Sequence, residues 1–169
     1  GKGMLDLFQY LATQSLGSLR SVNPYTLTHP MPLERIHNLE QLVKASPNFT
    51  KTDPPELILR HQLMQAKLAG FLEGPQMVYQ RYPASDTSAP ALYARAIVAF
   101  RSGDTAGAMP IIDRLITAQP KYPYFWELKG QALLEGGHPA EAIEPLRTAA
   151  KLAPSPGLIQ IMLAQALLG

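Results

Sequence analysis

The chain has 169 residues, with 15 Lys and Arg against 13 Asp and Glu, and it has no cysteine. The lack of cysteine excludes disulfides, Cys-ligated metals and thiol nucleophiles. Charges of both signs are interspersed, which disfavours nucleic-acid binding despite a pI near 8.9, and no apolar run approaches the ~18 residues that would span a bilayer.

Prolines mark the ends of the predicted helices. The chain has 16 prolines, mostly at the edges of segments with helical apolar spacing, where proline begins or stops a helix. That spacing predicts a first helix with an apolar face of Met4, Leu5, Phe8 and Leu11, and a second that begins at about Pro32 and continues through Ile36, Leu39, Leu42 and Val43. No segment alternates as a strand would, so the predicted fold class is all-α.

Two further helices precede the C-terminal half. Pro54 or Pro55 begins a long helix, which Gly74 and Pro75 end, and a short helix follows from Gln76 to Tyr82. The apolar residues of the long helix are Leu59, Leu63, Met64, Leu68 and Phe71.

The C-terminal half repeats itself. Small, large and proline positions recur in two segments, 34 residues apart: Ala96 with Gly130, Gly103 with Gly137, Ala108 with Ala142, Ile112 with Leu146, and Pro120 with Pro154. A third copy begins at Pro156, because residues 164–168 repeat the pattern of residues 130–134. A period of this length predicts stacked helical hairpins.

The second copy resembles the tetratricopeptide repeat, whose pattern is W-x2-L-G-x2-Y, then A-x3-F, then P. The matching residues are Trp126, Gly130, Ala142, Leu146 and Pro154. Where the pattern has Leu, the two copies have Arg95 and Lys129, and where it has Tyr they have Ala99 and Leu133. The resemblance implies helical hairpins stacked as a short right-handed solenoid, preceded by irregular helices. The repeats are then residues 89–122 and 123–156 and a partial one at 157–169, after a degenerate helical pair at 54–88.

The repeat register also predicts local packing. Gly130 and Ala142 must be small where the two helices of a hairpin cross, and Trp126 and Leu146 fill the space beside them. Gly103 and Gly137 make the turns between helices, where a positive φ favours glycine.

Tetratricopeptide repeats hold peptides or partner helices on the inner face of their first helices. The residues on this predicted peptide-binding face are Tyr93, Ile97, Phe100, Arg101, Tyr124, Glu127, Gln131 and Leu134; Ile161, Gln165 and Leu168 would continue it. The face has few charges, which disfavours a clamp for a C-terminal carboxylate. Alternatively, Tyr93, Ile97 and Phe100 pack against the helices of residues 55–82 or against another domain.

A second motif lies upstream of the repeats. His29, Pro30, Arg35 and Ile36 form H-P-x4-R-I, preceded by "GMLDLFQYLA". In this context the chain resembles the C-terminal part of the bacterial HtpX/BepA-like zinc metallopeptidases, where a G-M-x-x-F-x-x-L helix precedes the His-Pro motif and some members append tetratricopeptide repeats. Here Gly3, Met4, Phe8 and Leu11 match that helix, with one more residue between Met4 and Phe8.

The resemblance implies that residues 1–53 are the tail of a metallopeptidase-like region, in which His29 and Arg35 belong to a loop near the active site. It also implies a parent protein that is a periplasmic zinc metalloendopeptidase acting in envelope protein quality control. This chain has no H-E-x-x-H and no metal-ligand spacing among its histidines, so we expect it to be non-catalytic and to hold no metal itself. Its expected partners are a protein or peptide and the parent's own protease domain.

Two alternatives remain open at this stage. His29 and Pro30 could simply close a loop and cap the following helix. The whole chain could also be a free-standing repeat adaptor, with no enzyme attached, that binds an extended peptide or a partner helix.

Overall fold

The computed structural model describes residues 2–19 and 32–169, and the side chains of residues 2–13 and 36–169. These described residues form α-helices and no strands, so the predicted all-α class is confirmed. The helices are α1 (Lys2–Leu19), α2 (Pro32–Lys44), α3 (Pro55–Leu72), α4 (Pro75–Arg81), α5 (Ala89–Arg101), α6 (Thr105–Ala118), α7 (Pro123–Glu135), α8 (Pro139–Leu152) and α9 (Gly157–Leu168).

Local sequence explains where the helices begin and turn. Helices α3, α4, α5, α7 and α8 have proline in their first two positions, where the missing N–H would have had no helical partner. The Asp104 carboxylate caps α6 by accepting from Gly107 N at 2.8 Å. Gly103 and Gly137 have φ of 83° and 81°, so both hairpins turn at the glycines that the repeat register predicts.

The chain divides into two compact units, residues 1–53 and 54–169. In the first unit α1 packs against α2, and among its described side chains the buried apolar ones are Leu5, Ala12 and Ile36. Met4 and Leu11 are exposed, so the face predicted for α1 is only partly right. The buried line runs through Leu5 and Ala12, two helical turns apart, with Phe8 half-buried between them.

In the second unit α3 and α5 to α9 form a stack in which α5 is the most enclosed helix. Helix α5 packs against α3, α4, α6 and α7, and ten of its 13 residues are buried. A helix covered on all sides has to be apolar all round, and "APALYARAIVAF" is apolar except for Arg95 and the Tyr93 hydroxyl. The pairs α5/α6 and α7/α8 are the two complete hairpins, and α9 packs on α8.

Glycines allow the closest helix crossings. A Cβ on Gly130 would lie 2.3 Å from Leu146 Cγ, which confirms that this position must be small and that Leu146 fills the space beside it. A second crossing of this kind, which the sequence did not indicate, joins α3 to α5. A Cβ on Gly70 would lie 2.8 Å from Ile97 Cβ and 3.1 Å from the Ala94 carbonyl oxygen.

The two residues that replace the repeat's leucine have polar partners. The buried Arg95 guanidinium donates to the carbonyl oxygens of Tyr82, Pro83 and Asp86 at 3.1, 2.6 and 2.8 Å, which fixes the connection from α4 to α5. Lys129 Nζ lies 2.6 Å from Asp113 Oδ1 and joins α7 to α6. The departures from the repeat pattern therefore make contacts particular to this chain.

Trp126 packs against the apolar core, in line with the repeat register, but it lies at the edge of that core. Phe125 is fully buried and Trp126 is only half-buried. Trp126 Nε1 donates to the Pro120 carbonyl oxygen at 2.8 Å, so the indole lies against the loop that enters α7. Phe125 instead faces Tyr93, with ring centroids 5.0 Å apart in an edge-to-face arrangement.

Candidate protein-interaction cleft

Helix α3 covers the inner face of the first repeat. Its Leu63, Ala66, Ala69 and Gly70 are buried, and they belong to the same apolar core as Tyr93, Ile97 and Phe100 of α5. These three side chains of the predicted peptide-binding face are therefore buried. They pack against the helices of residues 55–82, which is the alternative that the sequence left open. The first repeat presents no apolar groove at these positions.

Arg101 stabilises the same helix packing. Its Nη1 donates to the carbonyl oxygens of Gly70 at 2.9 Å and Glu73 at 3.4 Å. These carbonyl groups lie at the C-terminal end of α3, where helix carbonyls lack intrahelical partners and a cation is favourable. The structure thus places Arg101 on the end of α3 and not in an open groove.

Lys67 connects α3 to the second repeat. Its Nζ lies 2.6 Å from Glu127 Oε2 and 4.8 Å from the centroid of the Tyr124 ring. Glu127, predicted on the peptide-binding face, is buried, and a buried carboxylate needs such a partner. Lys67 thus joins α3 to α7.

An aromatic cluster lies at the start of α7. Tyr122 lies 5.5 Å from Tyr124 and 4.6 Å from Phe125, measured between ring centroids, and the Tyr93 hydroxyl donates to the Tyr124 carbonyl oxygen at 3.4 Å. Burial raises the pKa of Tyr93 well above its usual value. Burial, reinforced by the neighbouring Tyr124 and Glu127, raises the pKa of Tyr122 to about 12. Both phenols therefore stay neutral at physiological pH.

Between α3 and the start of α7 lies an open cleft of about 600 Å³. Its lining combines apolar, aromatic and basic side chains from α3, the α6–α7 loop, α7 and the end of α8: Arg60, Leu63, Met64, Lys67, Lys121, Tyr122, Pro123, Tyr124 and Leu152. A second pocket of about 520 Å³ adjoins it and shares Arg60, Leu63, Lys121 and Tyr122. We call the two pockets together the Tyr122 cleft.

The other residues predicted for the peptide-binding face do not lie together. Tyr124 lines the Tyr122 cleft, whereas Gln131 donates to Glu135 Oε1 at 2.8 Å on the surface of α7 and Leu134 packs beside the Ala142–Leu146 core. Ile161 and Leu168 are exposed on α9. Sequence reasoning missed Arg60 and Met64 because they lie on α3, before the repeats, and it missed Lys121 because this residue lies in the loop between α6 and α7 and not on the first helix of a repeat.

His29 and Pro30 lie outside the described residues, and so does the side chain of Arg35. Among the residues that are described, no group of three or more His, Asp or Glu could hold a metal ion. Within the same ranges no helix is both long and apolar enough to cross a membrane.

Comparison with known families identifies the repeats. The tetratricopeptide repeat family matches residues 93–158, which include most of α5 and all of α6, α7 and α8. Neither curated proteins nor solved structures gave a significant match. The chain thus contains tetratricopeptide repeats, its helical hairpins form a short solenoid of that type, and such repeats mediate protein–protein interaction.

Proposed function

We propose that this chain binds an extended segment of a partner protein in the Tyr122 cleft. The observation that carries the proposal is the cleft itself, because it is a concave site where apolar, aromatic and basic side chains of a repeat region converge. Helix α3 has already covered the inner face of the first repeat, so a partner meets the second repeat together with α3.

Exposed Met64 gives a direct test. In the 169-residue chain, Met64→Ser should weaken binding of fluorescently labelled, unfolded casein, because the methionine lines the cleft and is 52% exposed. The matched control is Met77→Ser on α4, which is 54% exposed and lines neither pocket of the cleft. Equal casein affinity for the two variants would contradict the proposal.

We further propose that the chain is the non-catalytic interaction region of a bacterial zinc metallopeptidase that acts in envelope protein quality control, in the periplasm. The support is the similarity of the His29–Pro30 motif, with Gly3 and Met4 upstream, to the HtpX/BepA-like peptidases. Zinc would belong to the parent's H-E-x-x-H helix, since this sequence contains no such motif. From the same similarity we infer that the His29 loop would lie near that site.

The gene that encodes this chain tests the parentage at once. An open reading frame that continues upstream of Gly1 and encodes H-E-x-x-H would support a protease parent, and a frame without that motif would favour the free-standing adaptor. In the protease case, His29→Ala in the full-length protein should raise the rate of casein cleavage at unchanged zinc content, because it removes a neutral imidazole that competes for the zinc's open position. Equal rates would leave His29 a loop-closing residue.

A further inference from the structure

The charged side chains of the Tyr122 cleft are strongly biased in sign. Its larger pocket is lined by three cations, Arg60, Lys67 and Lys121, and by no carboxylate. The adjoining pocket adds one acidic residue, Glu56. The chain as a whole is almost balanced, at a formal net charge of +2, so this bias is local.

The three cations differ in how far they are already neutralised. Lys67 is held by the buried Glu127 at 2.6 Å. Arg60 lies 2.7 Å from Glu56 in an exposed pair on α3, which is the weak kind of ion pair. Lys121 has no ion pair within the described part of the chain and is exposed. Arg60 and Lys121 both line the two pockets, so the cations that remain open to a ligand lie where the pockets join.

The larger pocket also offers neutral polar and apolar contacts. The hydroxyl groups of Tyr122 and Tyr124 have no hydrogen-bond partner in the described parts of the chain, and a neutral phenol can donate to a carboxylate. Leu63, Met64 and Leu152 provide an apolar floor in the larger pocket. A ligand that fits must combine negative charge with at least one apolar side chain.

The length of the cleft favours a short extended peptide. Its α3 wall extends from Glu56 to Lys67, which is about 16 Å of helix at 1.5 Å per residue. An extended chain covers that distance in about five residues at 3.3 Å each.

We propose that the Tyr122 cleft recognises an internal, extended segment of about five residues in which acidic side chains flank an apolar anchor. The carboxylates contact Arg60 and Lys121, and the anchor lies over Met64 and Leu152. This inference rests on the proposed function, to which it adds the chemistry of the partner. Charge complementarity carries it, because the cleft is lined by three cations and by one carboxylate, Glu56, whose ion pair with Arg60 is exposed and weak.

Three acetylated and amidated peptides test the charge preference by fluorescence anisotropy on the 169-residue chain. The first alternates Glu with Leu and Phe, the second replaces each Glu by Gln, and the third replaces each Glu by Lys. We expect the acidic peptide to bind about tenfold more tightly than the Gln peptide, with the Lys peptide weakest. Raising the salt to 0.5 M, which shortens the Debye length, should remove most of the difference.

Variants around the junction should shift the affinity in opposite directions. Arg60→Gln and Lys121→Gln should each weaken binding of the acidic peptide about three- to tenfold, and Lys121→Arg should restore it. Glu56→Gln should tighten binding about two- to threefold, because it frees Arg60 from its exposed partner. Arg114→Gln is the matched control, since Arg114 is exposed on α6 away from the cleft lining. Melting temperatures show whether each variant is folded.

Each outcome decides between the two proposals. Equal binding of the acidic and Gln peptides, with both weakened by Met64→Ser, overturns the acidic preference and leaves the proposed function standing. No binding of any peptide, together with casein binding that is indifferent to Met64→Ser, overturns both. If a free C-terminus on the Gln peptide restores full affinity, the carboxylate comes from the chain end and the internal-segment proposal is wrong.

Discussion

Adjacent aromatic residues on α7 have different roles that their chemistry alone does not reveal. Both Phe125 and Trp126 suit a helix interface, and the repeat pattern favours Trp126. The structure buries Phe125 because Tyr93 and Tyr122 pack around it. The small residue at Gly130 and the turn glycines could be predicted because backbone geometry demands them, whereas the choice between two aromatics depends on neighbours from other helices.

The first prediction compares the contributions of Phe125 and Trp126 to stability. Phe125→Ala should lower the free energy of unfolding by about 3 to 5 kcal/mol, because it leaves a cavity beside Tyr93. Trp126→Ala should lower it by about 1 to 2 kcal/mol, because the indole is half-buried and loses one hydrogen bond. Urea unfolding of both variants measures the difference. A larger loss of unfolding free energy for Trp126→Ala would mean that Trp126, and not Phe125, is the main packing residue of α7.

At the scale of elements, the decisive feature is that α3 lies on α5. The apolar spacing of Leu59, Leu63 and Phe71 predicts an amphipathic helix, but it does not say which surface that helix covers. The repeat pattern begins at residue 89, so nothing in it identifies an additional helix, formed by earlier residues, on the inner face of α5. This is why the repeat pattern could assign Tyr93, Ile97 and Phe100 to a predicted peptide-binding face, although the structure buries all three.

The second prediction concerns the contact of α3 with α5. Gly70→Ala improves helix propensity by about 1 kcal/mol, but its Cβ would meet Ile97 Cβ at 2.8 Å and the Ala94 carbonyl oxygen at 3.1 Å. Neither atom is the end of a flexible side chain, so we expect the clash to dominate and a net destabilisation of about 1 to 2 kcal/mol.

The control for this substitution is Gly157→Ala, at the start of α9. A Cβ on Gly157 has no neighbour within 4 Å, so only helix propensity changes and the chain should become slightly more stable. Chemical denaturation of both variants shows whether each substitution raises or lowers the free energy of unfolding. A stabilised Gly70→Ala chain would show that α3 does not lie this close to α5.

The third prediction follows from the aromatic cluster at the start of α7. The pKa of Tyr122 is raised from 10.0 to about 12 in the folded chain. Its contribution to stability is therefore fully present below pH 10 and is lost as the pH rises through about 12, because the unfolded state gives up its proton first. We expect the urea midpoint to fall between pH 10 and pH 12. In Tyr122→Phe the fall should be smaller, and in Tyr79→Phe, an exposed residue on α4, it should be unchanged. A fall of the same size in Tyr122→Phe would exclude Tyr122 as its cause.

At the scale of the whole molecule, the two units differ in what sequence alone could establish. The 34-residue period predicted the hairpins α5/α6 and α7/α8 and the start of α9, since a repeat supplies its own internal comparison. Residues 54–88 match no repeat, yet α3 and α4 belong to the same compact unit as the hairpins. Their sequence fits the groove of this particular solenoid, and such complementarity has no general pattern to recognise.

The last prediction tests, with two fragments of the chain, whether the repeats depend on α3 and α4 for their stability. A fragment of residues 54–169 keeps α3, α4 and every residue that lines the Tyr122 cleft, so it should unfold cooperatively and bind casein as the full chain does. A fragment of residues 89–169 contains all the predicted repeats but lacks α3, which leaves Tyr93, Ile97 and Phe100 uncovered. Exposure of such a contiguous apolar surface promotes association, so the shorter fragment should bind a hydrophobic dye, melt at a lower temperature and self-associate. Circular dichroism melts and light scattering of the two fragments make the comparison. If residues 89–169 remain monomeric and melt like residues 54–169, α3 adds little to the repeats, and the inner face of α5 becomes available to a ligand after all.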